Sequence, residues 1–193
     1  MLTSLPNLLT LSRIVVIPMV VGLFYIDGSS ARWLSCALFI AAAITDWFDG
    51  YVARSRNQVS TFGRFLDPIA DKLLVVAVLF MMVAFDRLGP VSFLPALVIV
   101  LREILVSGLR EFLAEVRVGL PVSRLAKWKT GIQMIAIPVL LVGDAATFMP
   151  TRLIGEAGLW VAALLTLVTG WDYLQSGIRH IRANPVPPPS PPP

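Results

Sequence analysis

The sequence predicts an all-α integral membrane protein that crosses the bilayer six times, and three observations lead there. The chain of 193 residues is 56% hydrophobic and only 15% charged, with a mean hydropathy of +0.79; a water-soluble domain carries more charge than this. Its apolar residues fall in runs near or beyond the ~20 needed to span a bilayer. The segments between the runs are short, so no separate soluble domain is expected.

Taken in order, the first span covers about 8–25 and contains Pro18, which a membrane helix tolerates with a kink. The second covers about 32–53 and the third about 63–85. The break at Gly89-Pro90 precedes a fourth at about 91–114. A fifth lies at about 127–142 and a sixth at about 153–174. Residues 1–183 thus form one membrane domain, and the proline-dominated residues 184–193 are expected to be extended and disordered. The first run follows almost no positive charge and lacks a small-residue cleavage site, which predicts a retained helix. The single cysteine, Cys36, excludes an intrachain disulfide framework and is expected to pack in the apolar interior.

Basic residues set the orientation. The 54–64 loop carries Arg54, Arg56 and Arg64 with no acid, and the 115–129 segment carries Arg117, Arg124, Lys127 and Lys129 against Glu115. Arg179 and Arg182 follow the last span. On the other side Asp27 offsets Arg32, Asp86 offsets Arg87, and Asp144 and Glu156 outweigh Arg152. The positive-inside rule therefore puts both termini and the 54–64 loop in the cytoplasm. Trp33, Trp128 and Trp171, near span ends, suit interfacial anchors. The formal net charge of +4 suits anionic lipids or phosphates, and no nucleic-acid partner is expected.

Against this background Asp46, Asp49, Asp67 and Asp71 stand out. An aspartate at the centre of a spanning helix costs about 2.5–3.5 kcal/mol on insertion scales. At about 100° per residue, Asp46 and Asp49 lie about 60° apart on one helix face, and Asp67 and Asp71 about 40° apart on the next helix. The short linker makes those helices antiparallel neighbours, so the four carboxylates converge near the cytoplasmic face. Such anions repel unless cations join them, and two divalent ions in an all-oxygen site, Mg²⁺ or Mn²⁺, balance their charge. Gly50 and Ala53, on the Asp46 side, leave room for a ligand, and Arg54 on the same edge suits a phosphate. The competing reading has the aspartates snorkelling to the interface and pairing with Arg54, Arg64 or Lys72. Four carboxylates on matching faces weigh against it.

The residues Asp46-x-x-Asp49-Gly50-x-x-Ala53-Arg54, then eight residues, then Gly63-x-x-x-Asp67-x-x-x-Asp71, resemble the signature of the CDP-alcohol phosphatidyltransferases without a departure. The resemblance implies a six-helix membrane core with a polar active-site cavity facing the cytoplasm, usually as a homodimer. It implies transfer of a phosphatidyl group from a CDP-linked lipid, CDP-diacylglycerol, to an alcohol with release of CMP. It also implies that Asp46, Asp49 and Asp67 hold two metal ions on the CDP diphosphate, and that Asp71 contacts metal and acts as general base. Asp46, Gly50, Ala53, Arg54 and Gly63 are then the CDP-diacylglycerol-binding residues. The expected setting is a bacterial inner membrane with its lipids as partners.

The acceptor alcohol must be read from the rest of the chain. In the fourth span Glu103, Ser107 and Arg110 share a face, with Arg102 and Glu111 beside them. A charge-paired packing stripe is the preferred reading for Glu103 and Glu111. Arginines inside a span that faces a phosphate-binding site are better read as anion ligands. Lys127 and Lys129 begin the fifth span on the same side, either as ligands or as ordinary positive-inside residues. Asn7, Thr10 and Arg13 recur near the start of the first span, and Arg13 ranks below Arg54 and Arg110 as a phosphate ligand. His180 is expected to be a solvated surface residue. REILVSGLREF and KWKTGIQM are similar to segments of phosphatidylglycerophosphate synthases, which implies sn-glycerol 3-phosphate as acceptor, with Arg110, Arg102, Lys127, Lys129 and Arg13 as candidate ligands. Inositol phosphate or phosphatidylglycerol is the alternative acceptor. Readings from other classes are a divalent-cation transporter and a non-catalytic scaffold with a structural metal. Gly158, Ala162 and Ala163 suit close packing against another helix or another subunit.

Overall fold

A computed structural model describes residues 5–55, 61–115 and 124–183; within them the side chains at 5–7, 47–55, 61–65, 67–68, 71, 114–115 and 180–183 lie outside the description. The described residues form six α-helices: α1 (Leu5–Leu23), α2 (Ser29–Ser55), α3 (Thr61–Ala84), α4 (Phe93–Glu115), α5 (Arg124–Val142) and α6 (Thr151–Ala183). A short 3₁₀ turn, Gly143–Ala145, follows α5. The proline-dominated tail expected at 184–193 falls outside the described residues.

Two segments, Arg124–Ala145 and Thr151–Arg179, are long and apolar enough to cross a membrane. The helices outrun the predicted spans where the sequence turns polar. Helix α5 begins at Arg124 and α6 runs on to Ala183, because hydropathy marks where lipid ends and not where a helix must stop. Pro18 and Pro138 sit inside α1 and α5 without ending them.

Helix α1 packs against both α2 and α3, α2 against α5, and α6 along α4 and α5. The core between them includes Val20, Phe39, Val78, Met82, Ile99, Ile137, Leu141 and Leu159, with Cys36 buried among them as its apolar surroundings predicted. Where lipid replaces water outside, apolar area alone does not hold helices together, so close backbone approach has to. At the α5–α6 contact a Cβ on Gly155 would lie 2.5 Å from Leu140 Cγ, and one on Gly158 would lie 2.9 Å from Ala136 Cβ. Ala162 and Ala163 continue this buried seam. The small residues of the sixth span therefore serve packing within the chain.

The outer faces are apolar. Leu97, Leu101, Ile104, Leu105 and Phe112 are exposed along one side of α4, and Leu164, Leu167, Val168 and Trp171 along α6. An apolar face of this extent is what lipid contact requires and water disfavours. Trp33, Trp128 and Trp171 are exposed as well.

Candidate active site

Helices α1 to α6 enclose a cavity of about 750 Å³ at the end of the bundle where α2 finishes and α5 begins. A cavity of this size takes a ligand of drug size. Its walls carry six cations, Arg13, Lys72, Arg102, Arg110, Lys127 and Lys129, and among the described side chains two carboxylates, Asp46 and Glu103. At an effective dielectric near 20, like charges about 8 Å apart repel by about 2 kcal/mol. A cavity so lined is built to take anions.

Asp46 is half-exposed in the cavity, where the fully buried Arg13 of α1 donates from Nη1 to its Oδ1 at 2.6 Å. A buried guanidinium needs an anionic partner, so Arg13 fixes the carboxylate and ties α1 to α2. Arg13 also lines the cavity itself. Thr10, one turn before it on α1, is buried too.

The deeper wall is a polar cluster on α4, α5 and α6. Glu103 Oε1 accepts from Lys129 Nζ and lies 3.4 Å from Arg102 Nη1. Lys129 is buried, which separates it from an ordinary interfacial lysine. Arg102 reaches across to α6, where Nη2 lies 3.4 Å from Thr169 Oγ1 and its guanidinium lies 5.7 Å from the Tyr173 ring centre. Ser107 accepts from Lys72 of α3. Glu103 and Ser107 thus act inside the bundle as charge and hydrogen-bond partners, while Arg110 and Lys127 stay exposed at the cavity wall. Glu111 is exposed.

Two polar atoms of this wall are buried without a hydrogen-bond partner, Arg102 Nε and Gln133 Oε1. Leaving such an atom unsatisfied costs about 1–3 kcal/mol, and a bound polar ligand removes that cost. The sequence offers Lys72 only as a partner for the aspartates, not for Ser107, and does not single out Gln133, Thr169 or Tyr173. Gln133 left one signal, a lone amide inside the apolar stretch GIQMIAIP.

Of the signature residues, Asp49, Gly50, Ala53 and Arg54 lie on α2 and Gly63, Asp67 and Asp71 on α3, with side chains outside the description. Among the described residues no group of three metal-ligating side chains occurs. His180 likewise falls outside the described side chains.

Residues 3–168 match the CDP-alcohol phosphatidyltransferase family. The chain belongs to that family. Similar members are named CDP-diacylglycerol–glycerol-3-phosphate 3-phosphatidyltransferase. One from Rickettsia typhi is 51% identical over 174 residues, covering 90% of this chain and 96% of the relative. One from Cereibacter sphaeroides is 38% identical over 215 residues, covering 93% and 97%. A plant relative from Arabidopsis thaliana, whose name carries the suffix 2, is 43% identical over 175 residues, covering 85% and 75%. Within this CDP-alcohol phosphatidyltransferase, the family match spans α1 to α5 and the first half of α6, and so takes in most of the helices that wall the cavity.

Proposed function

We propose that this phosphatidyltransferase transfers the phosphatidyl group of CDP-diacylglycerol to sn-glycerol 3-phosphate, giving phosphatidylglycerophosphate and CMP. The observation that carries the reading is the crowding of Arg102, Arg110, Lys127 and Lys129 beside Asp46 in one cavity. A phosphorylated acceptor needs a cationic cradle of its own, or its phosphate would compete with the CDP diphosphate for the metals. The names of the relatives point the same way.

Asp46, Asp49, Asp67 and Asp71 would hold two divalent ions, Mg²⁺ or Mn²⁺, which when bound neutralise the diphosphate oxygens and the charge moving onto CMP. The donor set is all oxygen, the ligand type such ions take. Asp46 is held toward the cavity by Arg13. Arg54, with Gly50, Ala53 and Gly63 leaving space, binds the nucleotide-lipid side. The phosphate of the acceptor sits among Arg110, Arg102, Lys127 and Lys129, with Arg13 as a more distant helper. Its far primary hydroxyl then approaches the phosphorus joined to diacylglycerol. As the new P–O bond forms, the hydroxyl proton passes to the Asp71 carboxylate and the bond to CMP breaks. Gln133, facing the same cavity, takes the middle hydroxyl of the acceptor.

The same reading places all six helices across the membrane, with this cavity and both termini on the cytoplasmic side of a bacterial inner membrane, where CDP and the acceptor meet the lipid. The apolar outer faces of α4 and α6 would lie against lipid, and part of them against a second copy in a homodimer.

The test is product analysis. Purified protein with CDP-diacylglycerol and a divalent ion is given labelled glycerol 3-phosphate, inositol phosphate or phosphatidylglycerol, and the lipids are separated by thin-layer chromatography. A labelled lipid formed only with glycerol 3-phosphate supports the assignment. Faster turnover of either other acceptor overturns it.

A further inference from the structure

At the end of the bundle opposite Asp46, a second cavity of about 70 Å³ lies between the α3–α4 corner, the start of α2 and the α5–α6 corner. Along α2, Arg32 stands about 21 Å from Asp46 at the usual helical rise, so the two cavities are separate. Three arginines line the small one, Arg32, Arg87 and Arg152, along with the exposed Asp86 and Asp144.

Two tight corners build it. Helix α3 ends with Arg87 N–H donating to Met82 O at 2.9 Å and Asp86 N–H to Val83 O at 3.3 Å. This pairing needs a left-handed residue between helix and loop, and Asp86 supplies it at φ 52°. The turn sends Arg87 inward, its guanidinium 4.2 Å above the Phe24 ring. At the other corner Gly143 has φ 47°, and a Cβ there would stand 2.7 Å from Arg32 Nη1. Any other residue would displace the Arg32 guanidinium.

The carboxylates nearby offset the charge of Arg32 and Arg152, but none of them hydrogen-bonds the buried Nη1 of Arg87. Glu156 accepts from Gly89 N–H at 2.8 Å, Ser92 Oγ at 2.6 Å and Arg152 Nε at 3.0 Å. Asp144, 84% exposed, meets Arg32 only at 3.5 Å. Arg87 Nη1 is buried and has no hydrogen-bond partner. Burial, and then the neighbouring Arg32, hold the Arg87 guanidinium below its ordinary value, against the opposing pull of Asp144 and Asp27. An anion in the cavity would meet both needs.

We propose that Arg32, Arg87 and Arg152 form a binding site for a phosphate group, supplied by a phospholipid headgroup at the membrane face away from the catalytic cavity. Guanidinium groups match phosphate oxygens in geometry and hydrogen-bond them with charge assistance. The lipid source follows from the surroundings, since Tyr25, Phe148 and Leu153 near the site are all more than 70% exposed and offer apolar surface to acyl chains. This source rests on the membrane-spanning reading above; the phosphate site does not.

The experiment reads the thermal midpoint of delipidated protein in neutral detergent with added dioleoylphosphatidylglycerol, dioleoylglycerol or inorganic phosphate. Phosphatidylglycerol should raise the midpoint of the wild type by several degrees, as binding to the folded state alone requires. Dioleoylglycerol, which lacks the phosphate, should not. In Arg87→Gln and Arg32→Gln the rise should fall to less than half, while turnover in detergent stays at the wild-type level and shows that both variants fold. A rise with inorganic phosphate that both variants lose would support the site and assign it to the free ion. An equal rise in wild type and variants, or an equal rise with dioleoylglycerol, would overturn the proposal.

Discussion

Arg13 Nη1 lies 2.6 Å from Asp46 Oδ1, and the arginine is buried while the aspartate is half-exposed to the cavity. One charged hydrogen bond thus sets the position of the first signature carboxylate from a helix outside the signature. Arg13→Ala should lower kcat/KM by roughly 10- to 150-fold, the worth of a charge-assisted hydrogen bond of about 1.5–3 kcal/mol. Arg13→Lys should recover part of the loss, since an ammonium can donate the same single bond. Wild-type turnover in Arg13→Ala would show that Asp46 is held by other means.

If Asp46, Asp49 and Asp67 act as one metal cluster, each Asn replacement should abolish turnover and weaken binding of CDP-diacylglycerol together with divalent ions. Asp71→Asn should stop the reaction while sparing more of the binding, since its carboxylate takes the proton. Activity that survives EDTA would count against the cluster as a whole.

The six helices are legible in the sequence, because apolar runs are local properties. The polar stripe of α4 showed Arg102 and Arg110 at one wall in the same way. What could not be read was tertiary pairing. Nothing local to Lys129 shows that Glu103 neutralises it, or that Lys72 reaches Ser107. Thr169 and Tyr173 sit in an ordinary-looking apolar helix, and only the approach of Arg102 gives them a role. By sequence alone Arg13 is a minor phosphate ligand; its contact with Asp46 depends on the packing of α1 on α2.

Gln133 Oε1 is buried without a partner in the cavity wall. A site that hydrogen-bonds a hydroxyl discriminates against the analogue lacking it. The wild type should therefore prefer glycerol 3-phosphate over 3-hydroxypropyl phosphate, and Gln133→Leu should erase that preference while still using both. Competition kinetics with the two acceptors measures the ratio. An unchanged ratio in Gln133→Leu would remove the residue from acceptor recognition.

The proposed orientation is tested by labelling. In a chain whose only natural cysteine is the buried Cys36, a cysteine at Asn57 should react with an impermeant maleimide only from the cytoplasmic side. One at Gly28 should react only from the other. Labelling of both positions from one side would contradict six crossings.

The central claim is that the basic cavity holds the phosphate of the acceptor apart from the nucleotide lipid, and Arg110→Ala tests it most directly. Arg110 lines the cavity and is exposed there, so its removal should leave the bundle intact. Steady-state kinetics with each substrate varied in turn should show KM for glycerol 3-phosphate raised roughly 10- to 150-fold, the loss of one charge-assisted hydrogen bond. The apparent affinity for CDP-diacylglycerol should stay nearly unchanged, whereas Arg54→Ala should weaken the nucleotide-lipid side. Equal losses toward both substrates in Arg110→Ala would contradict the account and place the acceptor phosphate elsewhere.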